Sequence, residues 1–312
     1  MCYADYLANK ELRRMVRSPH RSFLNLGLHI LTYDPAWLSS HPSDRDTFET
    51  LRVMQYENPL QFFLPNGVQG VEFLNDWKHD VKAMISPNRV GKTSSCIVDM
   101  LLDCIRCDPS WPIFKNHGVK FREFTGPKQA GFASYIWQSV RRTMYPEIKK
   151  WIPRYELGEF ASNRDLNWLG DPKMPCASSL SDLYMFCYEQ PQGIFEGQVL
   201  NRFMWDEQGY MAQFDGIDER LRTTSGRHVF GLTPHKVEGR PDTGARSWIH
   251  KMLSGQSPKG HDCKVYTVGI DEVPDWIYPE EAKHQAYQKH IVQPKKENNI
   301  KAIKEGQSRY YG

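Results

Sequence analysis

Between a short apolar run and a long helical pattern the chain reads Ser86-Pro-Asn-Arg-Val-Gly-Lys-Thr93. Gly91, Lys92 and Thr93 supply the second half of the phosphate-loop pattern GxxxxGK[ST]. In that pattern backbone N–H groups converge on phosphate oxygens, the Lys reaches the β- and γ-phosphates and the hydroxyl meets Mg²⁺, with a helix N-terminus behind them. Ser86 stands where the first Gly usually does. Gly-Lys-[Ser/Thr] alone is a weak signal, because a helix start carrying an exposed Lys also produces it. The setting strengthens it: a strand precedes the loop and an amphipathic helix follows.

Farther along, Phe203-Met-Trp-Asp-Glu207 brings two adjacent carboxylates to the end of an apolar strand. Such a pair suits nucleotide hydrolysis, with Asp206 on the Mg²⁺ shell and Glu207 orienting or deprotonating the attacking water. A strand that simply meets solvent would look similar, but together with the phosphate loop the two acids describe one site. A third element, Phe230-Gly-Leu-Thr-Pro234, ends a strand on Thr233. That hydroxyl either senses a γ-phosphate or only terminates the strand before proline.

These residues need a sheet to bring them together, and the rest of the sequence predicts one. Val81–Ile85 reads as a strand, and Ser94–Cys107 repeats apolar residues with a helical period. Val119–Thr125 reads as a strand and Lys128–Tyr145 as a helix. Leu183–Tyr188, Phe203–Trp205 and His228–Leu232 read as buried strands, Gly216–Arg222 as helical, Val265–Ile270 as one more strand, and the chain from Pro279 as polar helix. This alternation predicts an α/β fold with a mostly parallel sheet flanked by helices. The expected divisions are a helical and loop region over 1–62, a core over 63–262, and a lid or linker over 263–312 that ends as a fragment would.

Composition is that of a globular chain of one large or two modest domains. Of its 312 residues 40% are hydrophobic and 12% aromatic, and 40 basic against 37 acidic residues leave a net charge of +3. That balance neither demands nor excludes nucleic acid. No apolar run approaches the ~20 residues that span a bilayer, and the amphipathic N-terminus lacks a signal-peptide core. Seven cysteines without framework spacing point to a reduced, cytosolic setting. Cys104 and Cys107 form a CxxC inside a helical pattern with no second pair, so they read as buried thiols rather than metal ligands.

The order of these motifs resembles the ATPase part of the large terminase subunit of tailed bacteriophages, from about Asn58 to the early 270s. The resemblance lies in Asn58-Pro59-Leu60 with Pro65…Gln69…Phe73, and in the loop with Arg89 inside it. It continues through Tyr188-Glu189-Gln190…Phe195-Glu196-Gly197, the acidic strand end Asp206-Glu207, and Leu232-Thr233-Pro234. It implies a P-loop NTPase of the additional-strand, catalytic-glutamate type that hydrolyses ATP to drive double-stranded DNA into a procapsid in the host cytoplasm. A portal protein, a small terminase subunit and further copies in a ring would be its partners. Nucleotide contacts would come from Asn88, Arg89, Val90, Gly91, Lys92, Thr93, Ser94, Gln69 on the adenine side, and Thr233. Thr93 and Asp206 would hold Mg²⁺, and Glu207, Lys92 and Arg89 would carry the chemistry.

Two departures stand out. Ser86-Pro87 replaces the small glycine pair at the loop start, and Gln192-Gly193-Ile194 lacks the arginine that related motors insert into a neighbour's site. Arg202, Arg141 and Arg142 are the substitutes to consider. The roughly forty residues after the core fall short of the ~100 a nuclease domain needs, so nuclease activity is not expected in this chain. A helicase-like ATPase and a nucleotide-binding structural subunit without turnover remain the alternatives.

Overall fold

The computed structural model of the chain describes residues 53–87, 90–161, 165–168, 172–196, 199–233, 260–273 and 280–288, with positions 249 and 292. The expectations for 1–52, for Asn88 and Arg89, and for Pro234 and the C-terminal tail lie outside the described residues.

Seven strands form one sheet: β1 (Val81–Ile85), β2 (Gln129–Ser134), β3 (Lys173–Pro175), β4 (Asp182–Cys187), β5 (Arg202–Asp206), β6 (Arg227–Leu232) and β7 (Cys263–Thr267). Their order is β3-β4-β2-β5-β6-β1-β7, parallel throughout except for the β3–β4 pair. β6 lies between β1, which leads into the loop, and β5, which ends on the acids. That is the additional-strand arrangement the family resemblance implied. β7 pairs with β1 from Val81↔Cys263 to Ile85↔Thr267, so the sheet extends past the expected boundary at 262.

A parallel sheet is buried on both faces, and its strands divide their side chains accordingly. Phe203, Trp205 and Phe230 pack on one face with Phe214 and Ile217. Those two belong to the helix Met211–Thr223. Met204 and Val229 pack on the other face with Met100, Leu101, Ile148 and Trp151. This second layer contains α1 (Gly67–Asn75), α2 (Lys92–Cys104) and α3 (Tyr145–Trp151). Among the described residues no helix is long and apolar enough to cross a membrane.

Two expected elements are corrected. Val119–Thr125 is not a strand, and the sheet position is taken by Gln129–Ser134, which the sequence reads as helix. Ala130, Gly131 and Ala133 carry no strand propensity, but the sheet needs small residues there. A Cβ on Gly131 would lie 2.4 Å from the Phe203 ring and 3.1 Å from that of Phe186. Tertiary packing overrides local preference. Arg122, inside the segment expected as a strand, is instead buried in an ionic cluster.

That cluster fastens α2 to the amino-terminal end of the sheet. Asp99, fully buried, accepts from Lys82 Nζ at 2.7 Å, Arg122 Nη2 at 2.5 Å and Arg202 Nη2 at 3.3 Å. Asp103 pairs with Arg122 at 2.8 Å and with Arg202 at 2.5 Å. Burial opposes the charge on Asp99, but the three cations outweigh it and hold its carboxyl below the usual range. Burial pushes the Lys82 ammonium down to about 8, against the pull of Asp99 and with the repulsion of Arg122 and Arg202. Lys82 Nζ also donates to Phe73 O and Asp76 O, closing the end of α1.

Removing one partner of a buried ionic cluster leaves the others uncompensated, at a cost of roughly 3–5 kcal/mol. Asp99→Asn should therefore lower the urea-unfolding free energy by about that amount. A loss under about 1 kcal/mol would show that the cluster does not hold α2 to the sheet.

Candidate nucleotide site

β1, β5 and β6 run parallel, so Ile85, Asp206 and Leu232 end together at one edge of the sheet. The helix that follows β1 starts beside them. Gly91 precedes it with φ +84°, a left-handed conformation that glycine adopts without strain, and a Cβ there would meet Asn66 Nδ2 at 3.0 Å. Asn66 donates this amide to the carbonyl of Val90, tying the start of α1 to the loop. Ser86 is fully buried, and its N–H donates to Leu232 O at 3.1 Å.

Lys92 is the first residue of α2 and its side chain is buried. Its Nζ donates to Glu207 Oε1 at 2.6 Å and to the hydroxyl oxygen of Thr233. Thr233 N–H donates to Glu207 Oε2 at 2.9 Å, so the lysine, the glutamate and the end of β6 form one closed knot. Glu207 sits at φ +66°, a left-handed conformation uncommon for a residue with a side chain, and its N–H donates to Gly231 O at 2.8 Å. This turn carries the Glu207 carboxylate over the sheet edge, where 43% of its side chain is exposed and open to water.

Asp206 lies beneath it. Thr93 Oγ1 donates to Oδ1 at 3.0 Å and Ser134 Oγ to Oδ2 at 3.1 Å. Burial first, and then the adjacent Glu207 carboxylate, raise the Asp206 carboxyl above the usual aspartate range, against Lys92, Thr93 and Ser134. A hydroxyl and a carboxylate, both hard oxygen donors, fit a divalent cation of the Mg²⁺ type. The buried hydroxyl of Tyr188 lies 3.2 Å from Ala133 O, 3.1 Å from Asp206 O and 3.3 Å from Glu207 O, and it can donate to one of them at a time. Gln213 Nε2 holds the carbonyl of Tyr188 at 2.9 Å.

The structure thus brings together Gly91, Lys92, Thr93, Asp206, Glu207 and Thr233, with Val90 alongside. Ser94 Oγ is turned aside and donates to Glu147 at 2.5 Å. Gln69 is half-buried on α1, with its amide 3.5 Å from Glu72. Arg202 is at the opposite end of β5 from Asp206, only 4% exposed and paired with Asp99 and Asp103. Both acids hold its guanidinium inside the fold, so it is not free to extend into a neighbour's nucleotide site, and its role as a trans-acting finger is corrected. Arg141 lies over the Trp168 ring at 5.0 Å, and Arg142 is exposed. Cys104 is a buried free thiol and Cys107 a partly buried one, and among the described residues no group of three or more His, Cys, Asp or Glu side chains is placed to hold a metal ion.

Sequence reasoning missed Asn66 and Ser134. An Asn before a helical Gly is a visible capping signal, but nothing local reveals that its amide reaches Val90. Ser134 became findable only once β2 was placed beside β5.

No family model matches the chain, and no curated protein matches it. Seven chains of known structure do. The large terminase of a thermophilic bacteriophage is 14% identical over 73% of this chain and 50% of its own length, with a TM-score of 0.47. The same figures hold for that protein in complex with ADP. The ATPase domain of a Thermus phage large terminase, an arginine-to-alanine mutant, is 12% identical over 81% of this chain and 95% of that one, with a TM-score of 0.43. This chain therefore spans half the length of the first two.

The Ser134 contact is open to test. Ser134→Ala removes one of two hydroxyl donors from a half-buried carboxylate, and thermal unfolding should show a loss of about 1 kcal/mol. Unchanged stability would mean that Ser134 does not hold Asp206 in solution.

Proposed function

We propose that this chain binds ATP with Mg²⁺ and hydrolyses it to ADP and phosphate. The observation that carries this reading is the meeting of Lys92, Glu207 and Thr233 in one hydrogen-bonded knot, beside the Thr93–Asp206 pair, at the carboxyl edge of a parallel sheet. The phosphates would lie along the loop, held by backbone N–H groups of Gly91 to Ser94 at the start of α2, by Lys92 and by Arg89 with Asn88 and Val90. Gln69 would face the adenine from α1. Thr93 and Asp206 would hold the metal ion, which when bound neutralises charge on the β- and γ-oxygens.

Phosphate oxygens arriving at Lys92 compete with Glu207 and Thr233 for the same ammonium. Drawing Lys92 toward phosphate frees the Glu207 carboxylate, already exposed at its turn, to accept a proton from water in line with the γ-phosphate. Thr233 N–H keeps one glutamate oxygen fixed, so the other points the attack. Thr233, at the end of β6, would pass the loss of the γ-phosphate to the segment after it.

The work done with this energy is read from motif order. Asn58-Pro59-Leu60 before the loop, the loop itself, Asp206-Glu207 and Leu232-Thr233-Pro234 follow the sequence of a phage DNA-packaging motor. Double-stranded DNA, gripped through its backbone, is the proposed substrate of translocation. A portal protein, a small terminase subunit and further copies of this chain in a ring are the proposed partners, in the cytoplasm of a host cell. A second reading, nucleotide binding without turnover, is favoured by the buried Ser86 at the loop start and by the engagement of Glu207 with Lys92.

Two variants test the roles of Lys92 and Glu207. Lys92→Ala removes a charge-assisted contact of roughly 1.5–3 kcal/mol, so calorimetry should show ATP affinity reduced at least about tenfold. Unchanged affinity would remove the phosphate-loop assignment. Glu207→Gln keeps shape but not basicity, and should bind Mg-ATP while phosphate release falls by about 10²-fold or more. Full turnover in that variant would assign the water to another residue.

A further inference from the structure

The edge of the sheet opposite the nucleotide site holds a cavity of about 320 Å³. It opens where β2, β5 and β6 begin, and Arg122, Lys128, Arg202 and Arg227 line it together with Asp103 and Glu123. Four cations therefore face two carboxylates. The imbalance continues beneath the surface, where three buried cations, Lys82, Arg122 and Arg202, share two carboxylates, Asp99 and Asp103.

Two further observations show that this charge is met only in part. The Nε–H groups of Arg122 and Arg202, residues only 7% and 4% exposed, are buried without an acceptor among the described residues. A buried guanidinium N–H without an acceptor forfeits its hydration, so the charge of both side chains is under-compensated where they line the cavity. Arg227, half-buried at the cavity wall, is lowered from the usual arginine range, first by burial and then by repulsion from Arg202. Lys82, deeper in the fold, is depressed by burial and by Arg122 and Arg202, against the pull of Asp99. A negative ligand in the cavity would relieve Arg227, which lines it. An empty charge balance of this kind, at a roomy wall with forked donors, selects a multi-oxygen anion rather than chloride.

We propose that this cavity is a second anion site, which takes a phosphate group between Arg122, Arg202, Arg227 and Lys128. It stands a full strand away from the nucleotide site. β5 runs the five residues from Arg202 to Asp206, about 13 Å at the usual rise per residue. The proposal does not depend on the nucleotide reading.

The phosphate group could belong to free inorganic phosphate or to a nucleic-acid backbone, and the experiment distinguishes these sources. Because the loop at Lys92 would itself attract phosphate, all measurements use the full chain carrying Lys92→Ala. Its thermal midpoint is followed against inorganic phosphate and, separately, against a 12-base-pair DNA duplex, with chloride at matched ionic strength as the control. ³¹P line broadening reports binding directly.

The expected result is a saturable rise in midpoint with inorganic phosphate. Adding Lys128→Gln and Arg227→Gln, neither of which belongs to the Asp99 cluster, should weaken it at least about tenfold. If the double substitution impairs folding, Lys128→Gln alone at the cavity mouth should weaken binding by a smaller factor. A duplex-induced rise that is lost in the same variants, without an effect of inorganic phosphate, would assign the phosphate group to a nucleic-acid backbone. No saturable response to either probe beyond that of chloride, or responses unchanged by the substitutions, would overturn the site.

Discussion

An ammonium drawn out of water at the edge of a sheet must be met by oxygen, and Lys92 is met by Glu207 and Thr233. Every other part of the site serves this meeting. It requires β1, β5 and β6 to end level with one another, which parallel pairing with β6 in the middle provides. It requires Glu207 to turn out of β5 at once, which its left-handed backbone does. It also requires the helix carrying Lys92 to stay in place. Asn66 at the loop and Glu147 against Ser94 secure its start, and the Asp99 cluster secures its far half.

The two ends of the sheet are thus electrostatically different in kind. At the carboxyl edge, Glu207 meets one lysine beside a half-buried aspartate whose carboxyl is pushed upward, the environment on which the proposed nucleotide reading rests. At the amino edge, basic groups outnumber acids around a cavity, and burial depresses the Lys82 ammonium behind it. The sheet between them is packed with aromatic rings, Trp205 lying 4.6 Å from Phe203 and 5.7 Å from Phe230, and this apolar slab separates the two.

Much of this was legible in the residues themselves. β1, β4, β5 and β6 are short apolar runs bounded by polar residues, and α2 repeats apolar residues with a helical period, so local pattern and tertiary need coincide. The acids of β5 and the threonine of β6 were identified by the chemistry of their neighbours. What stayed hidden depends on distant partners. β2 is made of small residues because Phe203 and Phe186 lie against it, a constraint that no window of sequence contains. Arg202 reads as an available guanidinium until Asp99, 103 residues away, is seen to hold it. Ser134 and Asn66 are ordinary polar residues until the fold places them beside Asp206 and Val90.

The central claim is that this knot of side chains turns over a nucleotide. Its most direct test is phosphate release from ATP by the unaltered chain, with Mg²⁺ and after chelation, in the presence and absence of duplex DNA. The account predicts steady release with Mg²⁺ that stops when the metal ion is chelated. Saturable ATP binding without phosphate release, whether or not DNA is present, would contradict it and leave a nucleotide-binding subunit without turnover.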